Sequence, residues 1–220
     1  MKKTFIFLLL VSLLNASALR AQAIKFGVKA GVNYSNISGD VLNQDQYKSK
    51  FGVHGGLMLN IGLVNDGFLS VQPEVLFSQK GFKYADTELN VGADKYRYTG
   101  KVTYNYIDIP VLLKITTSGL YFEAGPQFGY LASISNDVAV TKNGQIVSSN
   151  QNYGNLDNAK RSEIGYAAGL GYQSESGPMI GLRYNGGLTD FAKDGYQGGN
   201  FKNARNSVFM LSVGYMLGGH

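Results

Sequence analysis

From Ile24 to Ser35 the chain changes character at every step. Ile24, Phe26, Val28, Ala30, Val32 and Tyr34 occupy the even positions, and Lys25, Gly27, Lys29, Gly31, Asn33 and Ser35 the odd ones. A period of two puts the two sets on opposite faces of a β-strand. The pattern returns with an apolar phase at Phe51–Leu63, Leu69–Phe77, Ile107–Ile115, Phe122–Ala132, Ile164–Tyr172, Ile180–Tyr184 and Phe209–Leu217. No comparable stretch carries helical periodicity, so the sequence predicts an all-β chain of eight strands.

Most of these runs exceed the roughly five or six residues of strands in globular sheets. They approach the roughly 9–11 residues with which a tilted strand crosses a bilayer. Short connections at Asn65-Asp66-Gly67, Thr116-Thr117-Ser118-Gly119 and Ser174-Glu175-Ser176-Gly177 alternate with long polar segments near 37–50, 82–101, 134–161 and 191–205. Short turns on one side and long loops on the other are the pattern of an antiparallel up-and-down transmembrane β-barrel, with both termini on the periplasmic side. Pro73, Pro110 and Pro126 fall inside three consecutive strands, where each removes a ladder donor and a local bulge is expected.

A water-soluble eight-stranded barrel would bury its apolar face instead. Glycine placement favours the membrane form. Gly27, Gly31, Gly52, Gly56, Gly62, Gly125, Gly129, Gly165, Gly169, Gly171, Gly181 and Gly214 share the polar phase, whereas Gly55 and Gly186 fall in the apolar one. Small residues suit the cramped interior of a small barrel whose larger apolar side chains point outward.

Composition narrows the picture further. The start Met1-Lys2-Lys3-Thr4, the apolar run Phe5–Leu14 and the small residues after it predict a secretory signal peptide over 1–21, cleaved after Ala21 in preference to Ala18 or Ala23. The barrel domain then occupies 22–220. Loss of Lys2, Lys3 and Arg20 lowers the formal charge of +5 to +2, which makes nucleic acid an unsuitable partner. Cysteine is absent and only 2 histidines are present, which removes thiol chemistry, disulfides and a multi-histidine metal site. A mean hydropathy of -0.09 excludes a helical membrane bundle but is compatible with a barrel.

Three longer stretches carry a resemblance. Val71-Gln72-Pro73-Glu74-Val75-Leu76-Phe77-Ser78-Gln79-Lys80-Gly81, Tyr106-Ile107-Asp108-Ile109-Pro110-Val111-Leu112-Leu113-Lys114 and Tyr121-Phe122-Glu123-Ala124-Gly125-Pro126-Gln127-Phe128-Gly129-Tyr130 resemble motifs of the PorT-like outer-membrane β-barrel family common in Bacteroidetes. Gly169-Leu170-Gly171-Tyr172 followed by Leu182-Arg183-Tyr184-Asn185 completes the pattern. The resemblance implies a porin-like outer-membrane barrel, with one family member tied to protein secretion and gliding. It implies no catalytic residues and no cofactor.

Candidate chemistry concentrates in the polar phase, where Lys25, Lys29, Glu74, Lys80, Asp108, Lys114, Glu123, Glu163 and Arg183 point into the lumen. An eight-stranded barrel has room there for side chains and not for an aqueous channel. Charges in so confined a space need partners, so Lys29, Glu74, Asp108, Lys114, Glu123 and Arg183 are expected to form a structural salt-bridge network. A narrow ion path or ligand site is the alternative. Glu74 with Asp108 is unsuited to paired-carboxylate catalysis because a packed lumen leaves no substrate between them. His54 shares this phase and has no partner identifiable from sequence; a structural role is expected. Tyr34, Tyr130, Tyr172, Tyr184 and Tyr215 suit interfacial girdles, while Tyr106 and Tyr121 point inward.

The 82–101 segment interleaves Lys83, Lys95, Arg97 and Lys101 with Tyr84, Tyr96 and Tyr98. It reads as a hairpin extension of its flanking strands, or as a site for a glycan or an envelope protein. The segment 134–161, rich in Asn, Ser and Gln, reads as mobile surface. Expected partners are outer-membrane lipid and the outer-membrane assembly machinery. The function expected overall is a non-enzymatic barrel with a structural or interaction role at the cell surface. A narrow porin or secretion component is the second reading, and a membrane hydrolase a weaker third.

Overall fold

The computed structural model describes residues 24–39, 41, 44–64, 67–153, 159–193 and 203–217. The signal-peptide reading of 1–21 falls outside them. Among the described residues ten antiparallel strands are formed. In chain order they are β1 (Ile24–Ser38), β2 (Tyr47–Gly62), β3 (Leu69–Tyr84), β4 (Thr87–Val91), β5 (Asp94–Thr117), β6 (Leu120–Lys142), β7 (Gln145–Tyr153), β8 (Ser162–Gln173), β9 (Pro178–Gly187) and β10 (Arg205–Leu217). Eight of them pair in the ring β1-β2-β3-β5-β6-β8-β9-β10, and β10 returns to β1 from Phe26↔Leu217 to Ser38↔Arg205. The sheet closes on itself as a barrel. No helix among the described residues is long and apolar enough to cross a membrane.

The alternation decides which face is which. Phe26, Val28, Val32, Leu57, Val75, Val111, Phe122, Leu170, Leu182 and Val213 are exposed on the outside, while Lys29, Glu74, Asp108, Glu123 and Arg183 are buried inside. A soluble barrel would have the opposite arrangement. At the upper rim of the apolar band Tyr34 meets Phe51 and Tyr184 meets Phe209, with ring centroids 5.2 Å and 5.0 Å apart. Aromatic rings at that depth match the interfacial girdle of membrane barrels.

The interior is filled in layers. Met58, Tyr121, Met179 and Met216 cluster near the short turns. Ile37, Tyr47, Phe82, Tyr104, Leu131 and Phe191 belong to a larger apolar cluster toward the long hairpins. Charged and amide side chains lie between. Tyr121 fits because Gly171 and Gly181, paired across β8 and β9, carry no side chains. A Cβ at either glycine would stand 2.4 Å or 2.2 Å from the tyrosine hydroxyl oxygen.

The segment 82–101 forms the hairpin extension that its sequence suggests, with β4 paired to the outer part of β5. Two other sequence expectations need correction. The segment near 134–161 is not a loop for most of its length. β5 and β6 run well past the apolar band, and β4 and β7 pair with their outer halves. The result is a four-stranded extension β4-β5-β6-β7. Its second hairpin turns at Asn143-Gly144, where φ values of 51° and 83° give the double left-handed geometry of a tight hairpin turn. The mobile-surface reading of 134–161 fails because most of that segment is hydrogen-bonded sheet; residues 154–158 lie outside the described structure.

The prolines are accommodated without bulges. β3 and β5 keep one register from Pro73↔Val111 to Leu76↔Asp108, and β5 and β6 keep theirs from Pro110↔Gln127 to Leu113↔Ala124. The ladder lapses between these pairs and resumes unshifted. Register shifts occur instead at Ser49/His54, Asn105/Tyr106 and Val140/Thr141.

Candidate functional site

Four lumen charges come from every second strand of the ring: Lys29 on β1, Glu74 on β3, Glu123 on β6 and Arg183 on β9. The Arg183 guanidinium donates to Glu74 through Nη1 at 2.7 Å and Nη2 at 2.9 Å. Its Nε donates to Glu123 Oε1 at 2.7 Å. Lys29 Nζ and Gln72 Nε2 also donate to Glu74 Oε1, at 2.9 Å and 2.7 Å. A planar fork is suited to bridging two carboxylates in this way. Lys114 attaches at the edge, donating to Gln72 at 3.3 Å and Gln173 at 2.7 Å and standing 4.1 Å from the Tyr121 ring centroid.

Asp108 does not join this group. It accepts from Lys80 Nζ at 2.9 Å in a second cluster, where Lys80 also donates to Glu163 at 2.8 Å and lies 4.3 Å from the Tyr106 ring centroid. Asn206 Nδ2 donates to Glu163 Oε2. Of the sequence candidates, Lys29, Glu74, Glu123 and Arg183 form one connected set, Lys114 borders it through Gln72, and Asp108 stands apart. Lys25 is only half-buried.

A polar relay lies on His54. Asn33 Nδ2 donates to Ser78 Oγ at 3.1 Å and Gln79 O at 3.0 Å, which turns Asn33 Oδ1 toward His54 Nδ1 at 2.7 Å. His54 Nδ1 therefore carries the proton, and Nε2 faces Ser212 Oγ at 2.9 Å. Ser, His and Asn are thus in the order of a nucleophile relay. Their side chains are all buried. Gly31 is pressed so closely on this point that a Cβ there would lie 2.0 Å from Leu211 O and 2.7 Å from the His54 ring. Beside the serine hydroxyl there is packed protein where an acyl substrate would have to enter. Sequence reasoning missed both partners, because Asn33 and Ser212 are ordinary lumen-phase residues with no spacing signal.

Among the described residues the interior contains five buried cations, Lys29, Lys50, Lys80, Lys114 and Arg183, and four buried anions, Glu74, Asp108, Glu123 and Glu163. No group of three or more His, Cys, Asp or Glu residues able to hold a metal occurs among the described residues.

Outside the membrane band, the tips of the two hairpins are stitched together. Lys142 Nζ stands 2.7 Å from Asp94 Oδ2, and Asn143 Nδ2 donates to Asp94 Oδ1 at 2.9 Å. These hydrogen bonds hold the Asp94 carboxyl below the usual carboxylate range. Arg97 Nε donates to Asp86 at 2.5 Å and depresses that carboxyl likewise.

A family profile described as outer membrane protein beta-barrel domain matches residues 16–193. The chain belongs to this family. β10, which completes the barrel of this outer membrane protein, lies beyond the matched span. Among solved structures, the Neisserial surface protein A is similar at 12% identity with a TM-score of 0.51, over 86% of this chain and 96% of that one. The attachment invasion locus protein Ail of Yersinia pestis aligns at 14% identity and a TM-score of 0.44, over 89% of this chain and 99% of that one. OprG of Pseudomonas aeruginosa aligns at 13% and 0.41, over 90% and 98%. At such identities the likeness to the Neisserial protein concerns the fold. A search of curated proteins finds no match. Family membership and the exposed apolar band together place the chain in the outer membrane.

Proposed function

We propose that the protein is a non-enzymatic outer-membrane barrel whose lumen is a salt-bridged plug, with its role at the cell surface carried by the hairpin extension. The observation that carries this reading is the pairing of the interior charges, with Lys29, Lys80 and Arg183 bridging Glu74, Asp108, Glu123 and Glu163, and apolar clusters at both ends. Ion pairs buried at this depth are costly when broken and contribute rigidity when complete. The termini then lie on the periplasmic side and the β4-β5-β6-β7 sheet faces outward, where an envelope protein or a glycan would meet it. Ser212 and His54 serve as packing partners in this reading.

A conducting or secretion-linked role is the second reading. Asp108 Oδ2 and Glu123 Oε2 are buried without a hydrogen-bond partner, and an ion path would use such oxygens. The PorT-like stretches of the sequence also lie on β3, β5 and β6, the strands that supply Glu74, Lys80, Asp108, Lys114 and Glu123. Planar-bilayer recording separates the readings. The plug predicts no steady conductance from folded, purified protein, and regular single-channel steps would overturn it.

A further inference from the structure

Three lysines meet side by side on the outer wall. Lys48 of β2 is opposite Lys83 of β3, and Lys83 is opposite Lys101 of β5. All three are exposed, and none makes an ion pair among the described residues. Like charges directly opposite across strands destabilise a sheet, and here two such pairs are contiguous. Lys50, at the same end of β2, lies near enough to Lys101 for their charges to repel. Acidic neighbours reduce the excess without removing it. Asp137 is opposite Lys101 and lines the groove these lysines share, and Asp86 lines it too but is engaged by Arg97. Asp45 lines an adjoining groove, so among the described residues Lys48 and Lys83 have no carboxylate opposite them.

The face on which these lysines stand is the one that meets lipid lower down. On β3 the outward residues run Val75, Phe77, Gln79, Gly81, Lys83; on β5 they run Ile109, Ile107, Asn105, Thr103, Lys101. The apolar band gives way to Gln79 and Asn105, joined by a 3.2 Å hydrogen bond. Lys83 lies four residues above Gln79, roughly 13 Å along the strand and about 10 Å in height at a tilt near 40°. Lysine stems that snorkel downward bring the ammonium groups to the headgroup layer. Lys48, Lys83 and Lys101 line an open groove of about 540 Å³ together with Asp86 and Asp137.

We propose that Lys48, Lys83 and Lys101 hold the phosphate of a phosphorylated lipid in the outer leaflet, with its acyl chains lying down the stripe of Val75, Phe77, Ile107 and Ile109. Charge complementarity identifies the anionic head, and continuity with the apolar stripe identifies the ligand as an amphiphile and not a free anion. The inference rests on the proposed orientation, with the hairpin extension in the outer leaflet.

The test uses the mature barrel refolded in detergent micelles doped with diphosphorylated lipid A, or with the same lipid after phosphatase treatment, and counts retained lipid by native mass spectrometry. Preferential retention of the phosphorylated form is expected. The Lys48→Gln/Lys83→Gln/Lys101→Gln variant should weaken that retention by roughly a hundredfold, at about one kilocalorie per mole for each lysine. Lys142→Gln with Lys160→Gln, a control away from the groove, should leave it unchanged. Lys83→Gln alone replaces the triple variant if the latter does not refold. Equal retention of the dephosphorylated lipid, or full retention by the variant, would overturn the proposal. Displacement by inorganic pyrophosphate at matched concentration would overturn the lipid assignment in favour of a soluble anion. Heat-modifiable migration of the wild type is read separately: its absence defeats the membrane barrel itself, and the lipid site with it. Cysteine labelling on intact cells reads the orientation.

Discussion

Arg183 and Glu74 lie on diametrically opposite strands, β9 and β3, and join across the lumen through two hydrogen bonds of 2.7 Å and 2.9 Å. The bridge also holds Glu123, so removing the guanidinium leaves that carboxylate buried without its cation. Arg183→Met is expected to cost about 3–5 kcal/mol. Urea unfolding in lipid vesicles measures it. Combined with Glu74→Gln, the loss should be well short of additive, because both changes break one network.

The two environments of exposed apolar residues can be separated directly. Leu57 is 64% exposed on the lipid-facing band and Val147 is 56% exposed on β7 beyond it. Leu57→Arg should cost about 2–4 kcal/mol near the bilayer midplane. Val147→Arg, on a strand in water, should stay within about 0.5 kcal/mol of wild type. Equal costs, read from vesicle unfolding midpoints, would contradict the placement of the band.

Acid should loosen the hairpin tips before it touches the barrel. The folded-state pKa of Asp94 is depressed by Lys142 and Asn143. Its contribution is therefore complete above the unfolded value of about 3.9 and is lost as pH falls through the lower folded value. Exchange protection of the Lys95 and Asn143 amides, corrected for intrinsic rates, should decline on acidification through that window. In Asp94→Asn the pH dependence should vanish.

Orientation is tested with single cysteines, since the chain has none of its own. Val91→Cys and Ile146→Cys, exposed in the extension, should react with an impermeant thiol reagent on intact cells. Thr117→Cys and Ser176→Cys, at the short turns, should react only after the outer membrane is opened. The reverse pattern would invert the barrel.

The strands and their facing were legible because alternation is local: Ile24 to Ser35 shows both faces in one reading. The extension was legible in its first hairpin, 82–101, and not in its second. Asn143-Gly144 is the strongest local hairpin signal in the segment, yet the surrounding Asn, Ser and Gln residues concealed a strand with one polar face. Lumen charges were recognisable by phase, but their partners were not. Pairing Glu74 with Arg183, and Asp108 with Lys80 instead, depends on how the strands tilt and close, which no single segment records. The prolines misled for a related reason, because a ladder can lapse between strands without changing register.

The arrangement of the lumen charges bears on assembly. The first four ring strands, β1, β2, β3 and β5, carry four buried cations, Lys29, Lys50, Lys80 and Lys114, against two anions, Glu74 and Asp108. The last four, β6, β8, β9 and β10, carry Arg183 against Glu123 and Glu163. Each half of the chain thus has an excess charge of the sign opposite to the other's. The decisive contacts, Arg183 with Glu74 and Lys80 with Glu163, are made between residues 109 and 83 positions apart. A half-inserted chain would hold an unneutralised charge against hydrocarbon, and only a chain that has brought its last strands round to its first escapes that penalty. The interior therefore rewards completion over accumulation, and makes insertion of this barrel a concerted event instead of a sequence of stable hairpins.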